Sequence, residues 1–422
     1  MSEASLAEST QRIQNRTVRT LAASQALGGI AVAGAIPAGA LIAASISGSE
    51  AAAGLAQTFG VLGAALLALP LAKIALAKGR RVALATGYAL GTIGALIVIV
   101  GATQRSLLLI YLGCLGVGVA TASGYQARYA ATDLAQPHHV GRALAWVVWA
   151  ATIGAIIGPN LLNPSGSLGM ALGLPQLSGP YVVSAIALGL AVLVLVIFLR
   201  PDPYLLAVAE RTRAGGSAIA PKLRDGLAHV RTRPDALLGI AIIAIGHVVM
   251  VMVMVMTPVH MAHVDVTLQL IGLVISVHVA GMYALSPVVG WATDRWGTIR
   301  VALIGIAILV LSCVLAGLAP ADDVVLLGLG LFGLGLGWSC TLIAGSALVT
   351  QSTDARERPA VQGLSDLVMN VAGALGGAAA GLLVWAFGYL VLCLVAIIPL
   401  LVLLVFVLRR PACRTESNTR SM

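Results

Sequence analysis

Little in this chain is charged. Asp, Glu, Lys and Arg make up 10% of its 422 residues, 59% are hydrophobic, and the mean hydropathy is +0.99. An ordinary soluble domain is far more polar than this, so a soluble globular protein is excluded. Acidic charge is the scarcest, 16 Asp and Glu against 25 Lys and Arg. None of it falls near the centre of an apolar run, since Asp133 and Asp366 both lie toward the ends of theirs. Cysteine is also sparse. The five, Cys114, Cys313, Cys340, Cys393 and Cys413, include no close pair, which argues against both a disulfide framework and a thiolate metal site.

What the chain has instead is long apolar stretches. A hydrocarbon core is crossed by about 20 apolar residues in a helix. Twelve such stretches are centred near Gly34, Gly63, Thr92, Val117, Ala151, Leu188, Met250, Val279, Leu309, Gly335, Gly373 and Ile398. The 48 glycines suit helices that approach closely in lipid. The polar start, with Arg12, Arg16 and Arg19, precedes a span too long for a signal-peptide core, so no cleavage is expected. With both termini in the cytoplasm, every Lys and Arg except Arg105 falls on the cytoplasmic side, as the positive-inside rule requires. The net charge of +9 then reports topology and attraction to anionic membrane lipid, and calls for no nucleic-acid partner.

A charged linker, residues 200–234, separates six spans from six. The expected organisation is a cytoplasmic tail (1–19), a six-helix bundle (20–199), the linker, a second six-helix bundle (235–408) and a cytoplasmic tail (409–422). Between spans eight and nine stands Gly290-Trp-Ala-Thr-Asp294-Arg295-Trp-Gly297-Thr-Ile-Arg300. It resembles the GxxxDRxGxxR loop of the major facilitator superfamily. That resemblance implies an all-α membrane protein whose two bundles rock about a midplane site, functioning as a monomer and not an enzyme. Gly290, Asp294, Arg295, Gly297 and Arg300 would form a conformational gate, with Asp294 and the arginines pairing with neighbouring helix ends in one state. The matching loop between spans two and three keeps Gly79-Arg80-Arg81 but has Leu76 and Ala77 where Asp and Arg are expected, so the N-terminal gate is degenerate. Proton-coupled drug antiporters of the superfamily carry an arginine in span four, where this chain has Leu112, and a GxxxGPxxGG run that Gly154–Asn163 matches only in part.

Six of the ten methionines, Met250, Met252, Met254, Met256, Met261 and Met282, fall in a 33-residue window with His260, His263 and His278, and His247 lies three residues before it. Met250 with Met254 and His278 with Met282 are i, i+4 pairs, each sharing a helix face. Counted from the connecting turn, both pairs lie near the midplane, and they form one site if their faces meet. Thioethers and imidazoles select copper over hard cations. The pattern is similar to the CcoA-like bacterial copper importers, down to the 24 residues from Met254 to His278. That similarity implies copper as transported substrate, with no permanently bound cofactor, and Met250, Met254, His278 and Met282 as its ligands. His247, His260, Met261 and His263 are candidate accessory metal or proton groups. Two other readings stand beside this one. Methionines are common gap fillers in helices, and the carrier could move an organic solute, an effluxed drug or a vitamin of the riboflavin type.

Overall fold

A computed structural model of the chain describes residues 3–48, 50–213, 232–262 and 267–408, together with 224, 228 and 230. Among these the regular structure is entirely helical. The N-terminal bundle comprises α1 (Glu3–Ser47), α2 (Glu50–Lys78), α3 (Arg80–Thr103), α4 (Leu107–Ala130), α5 (Val140–Asn160), the short α6 (Leu162–Ala171) and α7 (Gly179–Phe198). A linker helix, α8 (Pro203–Arg213), follows. The C-terminal bundle comprises α9 (Pro234–Ala262), α10 (Leu268–Tyr283) continued by α11 (Ser286–Trp296), α12 (Thr298–Leu318), α13 (Val324–Gln351) and α14 (Arg358–Leu408).

Ten helical stretches among the described residues are long and apolar enough to cross a bilayer. The last, α14, is two arms broken at Gly388, whose φ of 83° and ψ of 174° no helix accommodates. The 21 residues of α5 reach about 30 Å, the thickness of the hydrocarbon core. The protein is therefore a multi-pass membrane protein of twelve spans, α10 and α11 together making the eighth.

Close approach of backbones assembles the bundles. On α10 and α13, a methyl at Gly281 would strike the Phe332 carbonyl and one at Gly335 the His278 carbonyl. Without side chains there, the two helices approach closely enough for dispersion to act across the seam. The bundles meet along two seams related by the same offset in the chain, α2 against α14 and α5 against α11. Each seam ends at a glycine of like conformation, Gly79 (φ 87°) before α3 and Gly297 (φ 89°) before α12. A side chain is strained there, and the glycine lets the chain reverse between two helices without a longer loop.

Candidate functional site: a central cavity and the floor that closes it

Between the bundles lies a cavity of about 580 Å³. Its walls are Val32 and Ala35 of α1, Gln57, Thr58 and Val61 of α2, Val117, Thr121 and Tyr125 of α4, Tyr181 of α7, His247, Val251 and Val255 of α9, and Asn370, Gly373, Ala374 and Gly377 of α14. Among the described residues the lining holds no Asp, Glu, Lys or Arg. His247, Val251 and Val255 recur every four residues, so one stripe of α9 faces the cavity.

The cavity is closed toward the face that carries the linker. Beneath Tyr125, Arg128 of α4 reaches across to Asp366 of α14 at 2.7 Å, the two side chains 2% and 1% exposed. The same guanidinium donates to Ser346 Oγ of α13 at 3.3 Å and lies 4.5 Å from the Tyr129 ring centroid. Tyr129 and Ser365 add a hydroxyl pair at 3.2 Å. The guanidinium of this buried pair has polar partners in place of water besides its counterion. One oxygen, Asp366 Oδ2, is buried with no hydrogen-bond partner.

The α5 seam is tied by Asp294 of α11. Its carboxylate accepts from the backbone of Gly141 at 2.7 Å and Arg142 at 3.0 Å, unsatisfied donors at the start of α5, and from Arg142 Nε at 3.3 Å. Gly290 lets α11 come down onto α5, since a methyl there would meet Ala145 and the Gly141 carbonyl. Arg295 and Arg300 are exposed. Asp294 thus meets a neighbouring helix end, as the loop pattern led one to expect, and the arginine beside it is Arg142 of the opposite bundle.

The α2 seam is tied differently. Arg80, 1% exposed, holds Asp133 at 2.9 Å and hydrogen-bonds Gln362 of α14. Asp133 lies past the end of α4, and burial raises its carboxyl above the ordinary range against the pull of Arg80. Asp202, just before α8, accepts from the backbone of Arg81 at 2.7 Å and of Tyr204 at 3.1 Å, joining the linker to the start of α3.

The methionines and His278 stand off the cavity wall. Met250 is buried in the core of the C-terminal bundle and Met254 packs half-buried against it. His278 (0% exposed) and Met282 lie along α13, where His278 Nδ1 donates to the Leu331 carbonyl at 2.8 Å. Both α9 and α10 pack extensively on α13 and meet each other only marginally. The direct facing of spans seven and eight that would unite the two pairs is thus replaced by packing of each on the tenth. His278 Nε2 is buried with no hydrogen-bond partner. His260 stacks on Tyr389 with ring centroids 4.3 Å apart, Met261 is buried, and His263 lies outside the described residues. Among the described candidates for ligands, only His247 lines the cavity.

Arg128, Gln362, Trp338 and Asn370 escaped the sequence reading, and Asp366 and Arg80 were visible there without their partners. The polar residues among them sit at span ends or singly within spans, and only packing of the two bundles shows that they meet. The one signal in the sequence is the cost of placing Arg128 and Asp366 at such depth.

Twelve spans in two bundles, closed on one face around a central cavity, define a secondary transporter. The chain belongs to the Major Facilitator Superfamily, whose sequence profile matches residues 21–268 and 247–421. It is 37% identical over 391 residues, 92% of this chain and 90% of the relative, to YdeG of Bacillus subtilis strain 168, described as an uncharacterized MFS-type transporter. It is 29% identical over 356 residues, 84% and 85% of the two chains, to the riboflavin transporter RfnT of Brucella anthropi. Among solved structures the human organic anion transporter MFSD10 shares the fold with a TM-score of 0.70 at 15% identity, over 93% of this chain and 99% of that one.

Proposed function

We propose that this transporter imports an uncharged organic solute, of the size and flatness of a heteroaromatic vitamin, by alternating access across the bacterial inner membrane. The carrying observation is the cavity itself: about 580 Å³, no charged side chain among the described residues of its lining, and hydrogen-bonding groups from Gln57, Thr121, Tyr125, His247 and Asn370 on largely apolar walls. Such a site rewards a mainly apolar ligand with a few placed polar atoms. The likeness to a riboflavin transporter supports the same class. The basic residues of the N-terminal tail and linker put the linker face in the cytoplasm, so the conformation described is outward-facing. Solute binding then favours import only as far as it stabilises the state in which the floor opens.

The test is uptake of labelled riboflavin into proteoliposomes, with Ala374→Trp to fill the cavity. Saturable uptake abolished by the variant is expected. Uptake insensitive to that variant overturns the reading.

A second reading, copper import, is favoured by His278. Its Nδ1–H is held by the Leu331 carbonyl, which leaves the Nε2 lone pair buried and unpartnered, with Met282 one turn away. Metal-binding histidines are commonly oriented in this way. Radiocopper uptake that falls on His278→Ala and is indifferent to Ala374→Trp would place copper ahead of the organic solute.

A further inference from the structure

Two of the cavity's polar groups have their hydrogen-bonding sense fixed by neighbours outside it. Trp338 of α13, 1% exposed, points its indole nitrogen at His247 Nδ1 at 3.0 Å. An indole nitrogen only donates, so Nδ1 accepts, and the neutral imidazole carries its hydrogen on Nε2. That edge of the ring lies against Gly373, where a methyl would strike both Cδ2 and Nε2. Gly373 and His247 both line the cavity, so the bare glycine leaves the N–H edge uncovered. One turn before Gly373, Asn370 donates its Nδ2 to the Asp366 carbonyl at 2.7 Å. The amide is oriented by that bond, which leaves Oδ1 as its free acceptor, and Asn370 lines the cavity. Residues three apart on a helix share a face, so a donor and an acceptor of fixed sense stand side by side.

We infer that His247 and Asn370 form a paired reading edge for a solute that carries a carbonyl next to an N–H, the lactam or imide edge of a planar heterocycle. His247 donates to the carbonyl, Asn370 accepts from the N–H, and Trp338 is a positioning residue that holds the imidazole in the donating tautomer. This assignment also removes His247 from metal and proton roles, because Nε2 carries hydrogen and the Nδ1 lone pair is occupied. It rests on the organic-solute reading above and names the chemistry that reading requires. A pocket built to pair both atoms discriminates against an analogue lacking one, because the protein group is then left buried and unpaired.

The experiment uses the full chain in nanodiscs, with riboflavin and 3-methylriboflavin as probes, the second having its imide N–H blocked by a methyl. Riboflavin is expected to bind at least tenfold tighter than the methylated probe to wild type, and Asn370→Leu to bring the two within about threefold. His247→Phe is expected to weaken riboflavin about tenfold, while His247→Gln, which restores an N–H donor, stays within about threefold of wild type. Imidazole nitrogen shifts in ¹⁵N-histidine-labelled protein report the tautomer without any ligand. One buried histidine should show a protonated Nε2 with an unprotonated Nδ1, and Trp338→Phe should change that signature. A His247 protonated at Nδ1, or Gln as damaging as Phe at 247, overturns the proposal. Binding of both probes without discrimination overturns the edge and leaves the organic-solute reading intact. Binding of neither to wild type overturns both.

Discussion

The two seams that close the linker face occupy equivalent places in the two bundles, yet they are tied by groups of opposite sign. At the α5 seam a carboxylate, Asp294, crosses to the unsatisfied N–H groups that begin α5. At the α2 seam a guanidinium, Arg80, crosses to the Gln362 amide while Asp133 of its own bundle neutralises it. Both seams keep the left-handed glycine and a small residue at the contact, Gly290 against Ala145 and Ala72 against Gly363. The difference teaches that backbone proximity is common to both halves of the closure, while the polar tie differs between them. A helix end and a side-chain amide are both satisfied by one charged partner from the other side.

The ties beneath the cavity differ in how much each would cost to break. The largest effect is expected for Asp366→Ala, which leaves the Arg128 guanidinium buried without its counterion. About 3–5 kcal/mol against the closed floor is expected, enough to make the linker-side opening dominant in double electron–electron resonance distances between labels on α4 and α14. Next is Arg80→Gln. It strands Asp133 but lets that carboxyl take up a proton, so about 2–3 kcal/mol is expected, seen as increased labelling of a cysteine placed at Ala72. The smallest is Asp294→Asn. The amide oxygen still accepts one N–H of α5, and the loss of charge at a helix start is worth about 1 kcal/mol. If Asp294→Asn opens the floor as fully as Arg80→Gln, the two ties are not separate, and the seams move as one element.

The sequence showed more of this than the degenerate loop at Lys73–Arg81 implied. Gly290, Asp294 and Gly297 were legible because the chemistry of that loop is local: a turn glycine and an acid at fixed spacing. Arg80 was visible as a residue but not as a tie, because Asp133 lies 53 positions away and Gln362 lies 282 away. The methionine window was legible as a pattern of soft donors. Helical spacing says which residues share a face, though, and not which helix that face meets. For His278 and Met282 that helix is α13, which the sequence alone does not select. His247 shows the same limit in another form. Its presence in span seven was evident, whereas its tautomer depends on Trp338, 91 positions further on.

By itself the sequence determined the solvent in which this protein lives, the number of crossings and the division into halves, because burial of apolar surface in lipid depends on runs of neighbouring residues. It also determined the two turns at Gly79 and Gly297, which rest on backbone sterics within a few residues. Tertiary structure alone decided where the cavity lies, which of two buried histidines faces it, and which charges meet beneath it. Those outcomes are set by contacts between helices distant in the chain, where small residues let backbones close to within reach and single polar groups find partners that no local pattern encodes.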